Sequence, residues 1–324
     1  MNPVVTDSIK LGFIGMGNMG ARIARRLLDH GNAVMVYDRH PEKARAVAGP
    51  TGAIASSIAE LARASDVIFS CLTNDAAVRS VYLGPDGVLA SARLGSTVLE
   101  MSTVSPATSR EVNRVGTERG VNVLDVAISG STPAAEQGTL TLFAGGAIEI
   151  FKAVDPLLRV IAQQSFYLGP SGSGTTMKLV ANTLLGVGMQ AVAEAVTLGL
   201  KSGLDSARLL EVLAKTAVMP PALAGKLERI SRGDYSAQFP LELMNKDFRL
   251  VLETAAEVKV AMPSTAAAFQ MNSAGLAGGG GADFSVVVEL MKALAQLHPL
   301  QPGSSDEATQ PASAAGPELV RKQG

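Results

Sequence analysis

One cysteine, three histidines and no excess of either charge mark what this 324-residue sequence has little of. The lone Cys71 lies inside the apolar run DVIFSCL, which excludes a disulfide framework and points to a reducing compartment. With no His, Lys or Arg beside it in the sequence, it reads as a buried spectator rather than a reactive thiol. His30, His40 and His298 fall near a helix end, in a loop and in the tail; none has metal-ligand spacing, so no metal site is expected and surface or capping roles are. Lys plus Arg number 28 against 29 Asp plus Glu, a balance that gives no sign of a nucleic-acid or membrane-surface partner. The opening MNPVVTDSIK lacks the basic and apolar regions of a secretory signal. No uninterrupted apolar run approaches the ~20 residues of a membrane span. The expectation is a cytoplasmic protein.

Glycine is abundant, and its placement is the informative feature. KLGFIGMGNMG, Lys10 to Gly20, joins a short apolar strand to Gly15, Gly17 and Gly20 in G-x-G-x-x-G spacing, with Met16, Asn18 and Met19 between. The first glycine permits a tight strand-to-helix turn, the second lets backbone approach a pyrophosphate, and the third lets helix and strand pack closely. A helix over Asn18 to His30 and a strand over Ala33 to Asp38 complete a βαβ unit. The alternation continues with helices at Pro41 to Ala48 and Ser57 to Ala64, a strand at Asp66 to Cys71, a helix at Asp75 to Tyr82 and a strand at Ser96 to Met101. A helix at Pro106 to Arg119, a strand at Asn122 to Val126, and strands at Thr139 to Gly146 and Ser165 to Gly169 around a helix at Ala147 to Ile161 complete it. This predicts an α/β fold with a doubly wound parallel sheet of Rossmann type. Helical patterns dominate beyond it, beginning with Gly174 to Lys201, too long and too apolar all round for a surface helix. Further helices are expected at Ser206 to Ala217, Ala222 to Arg232, Leu241 to Val258, Ser264 to Ala277 and Phe284 to Gln296. The expected organisation is a dinucleotide-binding domain over 1–169, an all-α domain over 170–298 joined by the long helix, and a disordered Pro, Ser, Ala and Gly-rich tail over 299–324.

Several residues point to chemistry. Asp38 ends the second strand, 18 residues after Gly20, where a carboxylate accepts hydrogen bonds from ribose hydroxyls and repels a 2′-phosphate. Arg39 follows and is able to stack on adenine or pair with a 2′-phosphate; NAD is favoured, with NADP open. CLTND, containing Leu72, Thr73 and Asn74, and EMSTVSP, containing Thr103, follow strands at the carboxyl edge of the sheet, where ligands bind in such folds. Ser105 is placed to cap the next helix. Ser129, Gly130 and Ser131 form a small-residue turn, read either as an ordinary β-turn or as backbone N–H groups and hydroxyls offered to a carboxylate. In GPSGSGTTMKLVAN, Lys178 and Asn182 stand four apart on one helix face. A lysine in that apolar setting either snorkels to solvent or is functional. Gly169 and Gly174 have P-loop separation, but Thr175 stands where that motif requires lysine, so the reading fails.

Taken in order, GFIGMGNMG, EMSTVSP, DVAISGSTPAAEQGTL, GPSGSGTTMKLVAN and NKDF resemble the β-hydroxyacid dehydrogenase family over residues 9 to about 296. The resemblance implies hydride transfer between NAD(P) and a small hydroxy acid or its semialdehyde. It makes Lys178 the catalytic acid and base, supported by Asn182. It gives Ser129, Gly130 and Ser131 the substrate carboxylate, puts Thr103 near the nicotinamide, and has Lys246 with Asp247 close over the site. It also implies homodimers or homotetramers. The chain departs from the family's D-A-P-V-S-G-G: Val126, Ala127 and Ile128 differ, and Ser131 replaces the second glycine, adding a hydroxyl and bulk that favour a small or more polar acid. Ala181, where 6-phosphogluconate dehydrogenases carry histidine, argues against decarboxylating sugar-phosphate chemistry. Two alternatives remain, an imine reductase of the same fold and a non-catalytic nucleotide-binding protein; Lys178 argues against both.

Overall fold

Leu11, Phe13 and Ile14 are almost wholly buried, as a strand must be when helices cover both faces of its sheet. The computed structural model describes residues 9–49 and 52–297. The chain runs through β1 (Leu11–Ile14), α1 (Asn18–Asp29), β2 (Val34–Tyr37), α2 (Pro41–Ala48), β3 (Ala53–Ile54), α3 (Ile58–Ala64), β4 (Val67–Ser70) and α4 (Asp75–Leu83). It continues through α5 (Val88–Ser91), β5 (Thr97–Glu100), α6 (Pro106–Glu118), β6 (Asn122–Ser129), α7 (Thr132–Gln137), β7 (Leu140–Gly145), α8 (Ile148–Ile161) and β8 (Ala162–Tyr167). The eight strands form one sheet in the order β3-β2-β1-β4-β5-β6-β7-β8. Every neighbouring pair is parallel except β6 and β7. The exception has a length reason: ten residues, 130–139, join those strands, fewer than the roughly dozen a parallel crossover requires.

Alternate residues of the strands feed two cores. Phe13, Phe69, Leu99 and Leu124 face Ile23 and Leu27 of α1 and Leu158 of α8, with Phe13 and Phe69 stacked at 5.8 Å between ring centroids. Ile14, Ile68, Val98 and Val123 face Leu61, Tyr82 and Val112 from the helices of the other face. The strand order reverses at β1 and β4, and in such sheets the crevice at that reversal is where ligands lie.

The elements that follow are helical: α9 (Ser173–Lys201), α10 (Ser206–Ala214), α11 (Pro221–Ile230), α12 (Leu241–Glu257), α13 (Pro263–Gly275), two 3₁₀ turns at Leu276–Gly278 and Phe284–Val286, and α14 (Val287–Leu294). The described residues pack as two compact units, one reaching Gln190 and including Ser236–Val287, the other made of Ala191–Tyr235 and Val288–Leu297. Within the first, Leu179 of α9 meets Leu250 and Val251 of α12, and Gly186 leaves the space that the Phe248 ring and Met244 fill. Within the second, the Tyr235 hydroxyl donates to Glu289 at 2.7 Å, and Glu289 pairs with the buried Lys292 at 3.1 Å. By length and composition alone, α9 is long and apolar enough to cross a membrane, a test that the core helix of a soluble protein also passes.

Several boundaries differ from expectation. β6 runs on to Ser129 rather than ending at Val126, because Val126, Ala127 and Ile128 are buried and pair with Ala144, Phe143 and Leu142. Ser129 is therefore the last residue of the strand as well as the first of the small-residue turn. The two-residue β3, the four-residue α5 and the six-residue α7 were too short to leave a periodic signal. The last helix starts at Val287 because Asp283 caps a separate 3₁₀ turn, its carboxylate accepting the Ser285 N–H. His298 and the tail over 299–324 lie outside the described residues.

Candidate active site

The glycine turn is shaped for a dinucleotide. Gly15 has φ +95°, and a Cβ there would overlap the Cys71 carbonyl; one on Gly20 would overlap the Gly15 carbonyl, so the third glycine is what lets α1 seat against the turn. Gly17 differs, being exposed, with nothing near the place a Cβ would occupy. It is also the N-cap of α1, which has neither a side-chain cap nor an acidic residue in its first turn. Free N–H groups at a helix start beside open backbone are what a pyrophosphate requires. Asn18 is exposed at that opening and Met19 packs partly on the core. Asp38 stands at the end of β2, its Oδ2 accepting the Met16 N–H at 2.7 Å and its Oδ1 the His40 N–H at 2.8 Å, so it braces the glycine turn. Arg39 beside it is exposed. These residues fit a bound dinucleotide.

Two loops at the carboxyl edge are tied together. The Leu72 N–H donates to the Ser102 hydroxyl at 2.8 Å, and the Ser102 N–H to Glu100 at 2.8 Å. Asp75 Oδ1 accepts the Ser105 N–H at 3.0 Å and the Ser105 and Thr108 hydroxyls at 2.6 Å each. Burial alone would raise the Asp75 pKa, but those hydrogen bonds outweigh it and hold the carboxyl below its usual value. Thr73 is exposed, while the Asn74 side chain accepts the Ala77 N–H at 2.9 Å and caps α4. Ser105 caps α6 through Thr108. Burial, with the Glu100 charge, pushes the Cys71 thiol up to about 12, which leaves it inert at neutral pH. Of the histidines, His30 lies at the C-terminal end of α1 with Nδ1 2.9 Å from the Arg26 carbonyl, and His40 is the N-cap residue of α2. No group of three potential metal ligands occurs among the described residues.

The polar centre is where α9 meets α12. Asn182 Nδ2 donates to Asp247 Oδ2 at 2.5 Å, Lys246 Nζ pairs with Asp247 Oδ1 at 2.9 Å, and Lys246 Nζ also donates to the Thr103 carbonyl at 2.6 Å. Asp247 is only 2% exposed, so its charge acts in a poorly screened setting. Burial lowers the Lys178 pKa below its usual value of 10.5; Asp247 opposes the shift and Lys246 adds to it. Lys178, Asn182, Thr103, Lys246 and Asp247 are thus linked by contact or charge. The Ser129–Ser131 turn is not part of that network: among the described residues no hydrogen bond joins it to Lys178 or Asn182. Gly130 takes φ +144°, and Ser131 is the N-cap residue of α7, its hydroxyl making no cap bond. Asp125, Glu100 and the Thr175–Ser109 pair were not found from sequence, though an acidic residue at the buried end of an apolar strand is itself a signal.

A glycine-turn cradle of this form, at the strand-order reversal of a doubly wound sheet, is what an NAD(P)-dependent oxidoreductase requires. Residues 10–169 match the NAD-binding domain of 6-phosphogluconate dehydrogenase. Residues 172–291 match the NAD-binding domain of NADP-dependent 3-hydroxyisobutyrate dehydrogenase. A 2-(hydroxymethyl)glutarate dehydrogenase of Eubacterium barkeri is 37% identical over 285 residues, covering 87% of this chain and 95% of that one. A 3-hydroxyisobutyrate dehydrogenase of Pseudomonas aeruginosa is 33% identical over 87% of this chain and 98% of its own. The solved 3-hydroxyisobutyrate dehydrogenase of Mycobacterium tuberculosis, with L-serine, superposes at TM-score 0.81 with 28% identity, covering 88% of this chain and 99% of that one. The chain belongs to the β-hydroxyacid dehydrogenase family, that of the 3-hydroxyisobutyrate dehydrogenases.

Proposed function

We propose that this protein interconverts a small β-hydroxy acid and its semialdehyde, with Lys178 moving the proton. The observation that carries the reading is the buried Asp247, which holds Asn182 and Lys246 and lies near enough to act on the Lys178 charge. A nicotinamide cofactor held by the Gly15–Gly20 turn would supply or accept the hydride. In reduction, Lys178 donates a proton to the carbonyl oxygen of the substrate; in oxidation it accepts the hydroxyl proton. Its lowered pKa makes the neutral amine accessible nearer neutral pH, and its ammonium form stabilises the developing alkoxide. Asn182, fixed by Asp247, orients the reacting oxygen. The N–H groups and hydroxyls of the Ser129–Ser131 turn take the substrate carboxylate, with the Ser131 hydroxyl free to favour a polar acid. Lys246, anchored on Thr103, closes the cofactor side. Asp38 favours NAD by repelling a 2′-phosphate. We further take the protein to be a homo-oligomer.

The test is Lys178→Ala, with 3-hydroxyisobutyrate, glycerate, 4-hydroxybutyrate and their aldehydes assayed against NAD and NADP side by side. The expected result is a loss of about 10²–10⁴-fold in kcat, the usual worth of a placed acid–base group, with NADH binding near the wild-type affinity. Retained turnover in the variant, or turnover of cyclic imines with none of the panel, would overturn the reading.

A further inference from the structure

The start of α9 is fixed by a side chain outside the lysine centre. Asp125 lies within β6, 2% exposed. Its Oδ1 accepts the Gly172 N–H at 2.8 Å, and its Oδ2 accepts the Thr175 N–H at 2.9 Å and the Thr175 hydroxyl at 3.3 Å. The Thr175 hydroxyl also lies 2.8 Å from the Ser109 hydroxyl of α6. The surrounding backbone leaves no slack: Gly172 has φ +90°, a Cβ on Gly145 would come 2.8 Å from Asp125 Oδ1, and one on Gly174 would come 2.8 Å from the Asp125 carbonyl. A carboxylate that satisfies two backbone N–H groups at a helix start both caps the helix and complements its dipole. Lys178 follows Thr175 by three residues and Asn182 by seven, so all three project from one side of the helix. On the strand, Asp125 precedes Ser129 by four residues, roughly 13 Å of extended chain. One carboxylate therefore ties the strand that ends in the small-residue turn to the helix that carries the lysine.

We infer that Asp125 is a positioning residue for the oxidoreductase reaction: by clamping the first turn of α9 to β6, it sets where Lys178 stands relative to the Ser129–Ser131 turn. The inference rests on Lys178 being the acid–base group. Asp125→Asn keeps the shape but turns an amide N–H toward one of the two backbone donors, so the helix start must shift. Because a misplacement of about 1 Å costs on the order of 100-fold in rate, kcat per NADH-binding site is expected to fall by about that factor. NADH affinity should stay near the wild-type value, since the glycine turn is untouched. With the panel acid turned over fastest, deuterated at its carbinol carbon, the primary isotope effect on kcat should rise as the chemical step becomes limiting. Fewer NADH-binding sites, with unchanged kcat and isotope effect at each remaining site, would reduce Asp125 to a structural cap and overturn the inference. If Asp125→Asn does not fold, Thr175→Val decides, because it keeps the backbone bond and removes the hydroxyl that bridges Asp125 and Ser109. A lower kcat per site with a larger isotope effect supports the clamp, and no change in either overturns it. Lys178→Ala separates the two readings: if it is inactive while Asp125→Asn is fully active, only the clamp fails, and if it retains turnover, the reading beneath the clamp fails.

Discussion

Glu100 ends β5 in register with Ser70 on one side and Asp125 on the other. Its Oε1 accepts the Ser102 N–H, whereas its Oε2 is buried with no hydrogen-bond partner among the described residues. Burial, helped by the charges of Asp125 and Asp75, raises its pKa from 4.5 to about 8, so at neutral pH the folded protein holds it as the acid. The consequence for stability has a definite sign. Between those two values the unfolded chain has lost the proton and the folded chain has kept it, so stability falls as pH rises. Glu100→Gln removes the titration while keeping an acceptor for Ser102, and any cost of its unpaired amide is the same at every pH. With each pKa unit worth about 1.4 kcal/mol, the variant should gain a few kcal/mol relative to wild type between pH 5 and pH 8. Thermal unfolding at the two pH values checks it; an equal difference in Tm at both would show that Glu100 ionises normally in the fold.

At the scale of elements, the strand–turn–helix over residues 11–29 separates glycines that the packing requires from one that it leaves free. Gly15→Ala forces φ +95° on an alanine and pushes its Cβ into the Cys71 carbonyl, so it should destabilise by about 1–3 kcal/mol or more. Gly17→Ala meets nothing and has an ordinary φ of −75°, so its Tm should stay near wild type while NADH affinity drops, because the methyl stands where the pyrophosphate approaches. Calorimetry beside NADH fluorescence titration tests the pair, and a stable Gly17→Ala variant with full NADH affinity would refute the cradle. That turn was legible in the sequence because glycine spacing encodes backbone geometry locally. The helix over 41–48 and the start of α12 at Leu241 were legible too, from a proline at the first helical position and from apolar spacing. The extension of β6 to Ser129 was not, since Val126, Ala127 and Ile128 become a strand through pairing with β7, a partner with no local mark. The site divides the same way. Lys178 and Asn182 stand out as polar residues four apart in an apolar helix, whereas the contacts of Asp247 and Asp125 depend on which side chain or helix start the fold brings to them.

For the whole molecule, the unresolved balance lies along α9. Val180 is 49% exposed and Leu184 75%, and residues four apart on a helix lie about 40° from one another, so the two form an exposed apolar patch. Covering a leucine is worth about 1.5–3 kcal/mol, and in a two-fold interface each residue is covered twice. A second copy of the chain answers this better than lipid does, because Lys178, Asn182, Gln190 and Glu194 lie on the same helix and would have to enter the bilayer with it, at a cost of about 2.5–3.5 kcal/mol for a charged residue near its centre. The expected outcome is a dimer or larger assembly at micromolar concentration in detergent-free sedimentation equilibrium. Leu184→Glu should shift it toward monomer, because a carboxylate on each copy would then lie unpaired in the interface. A wild-type protein that sediments as a monomer would refute the interface, and one that also floats with liposomes would give the patch to a membrane instead.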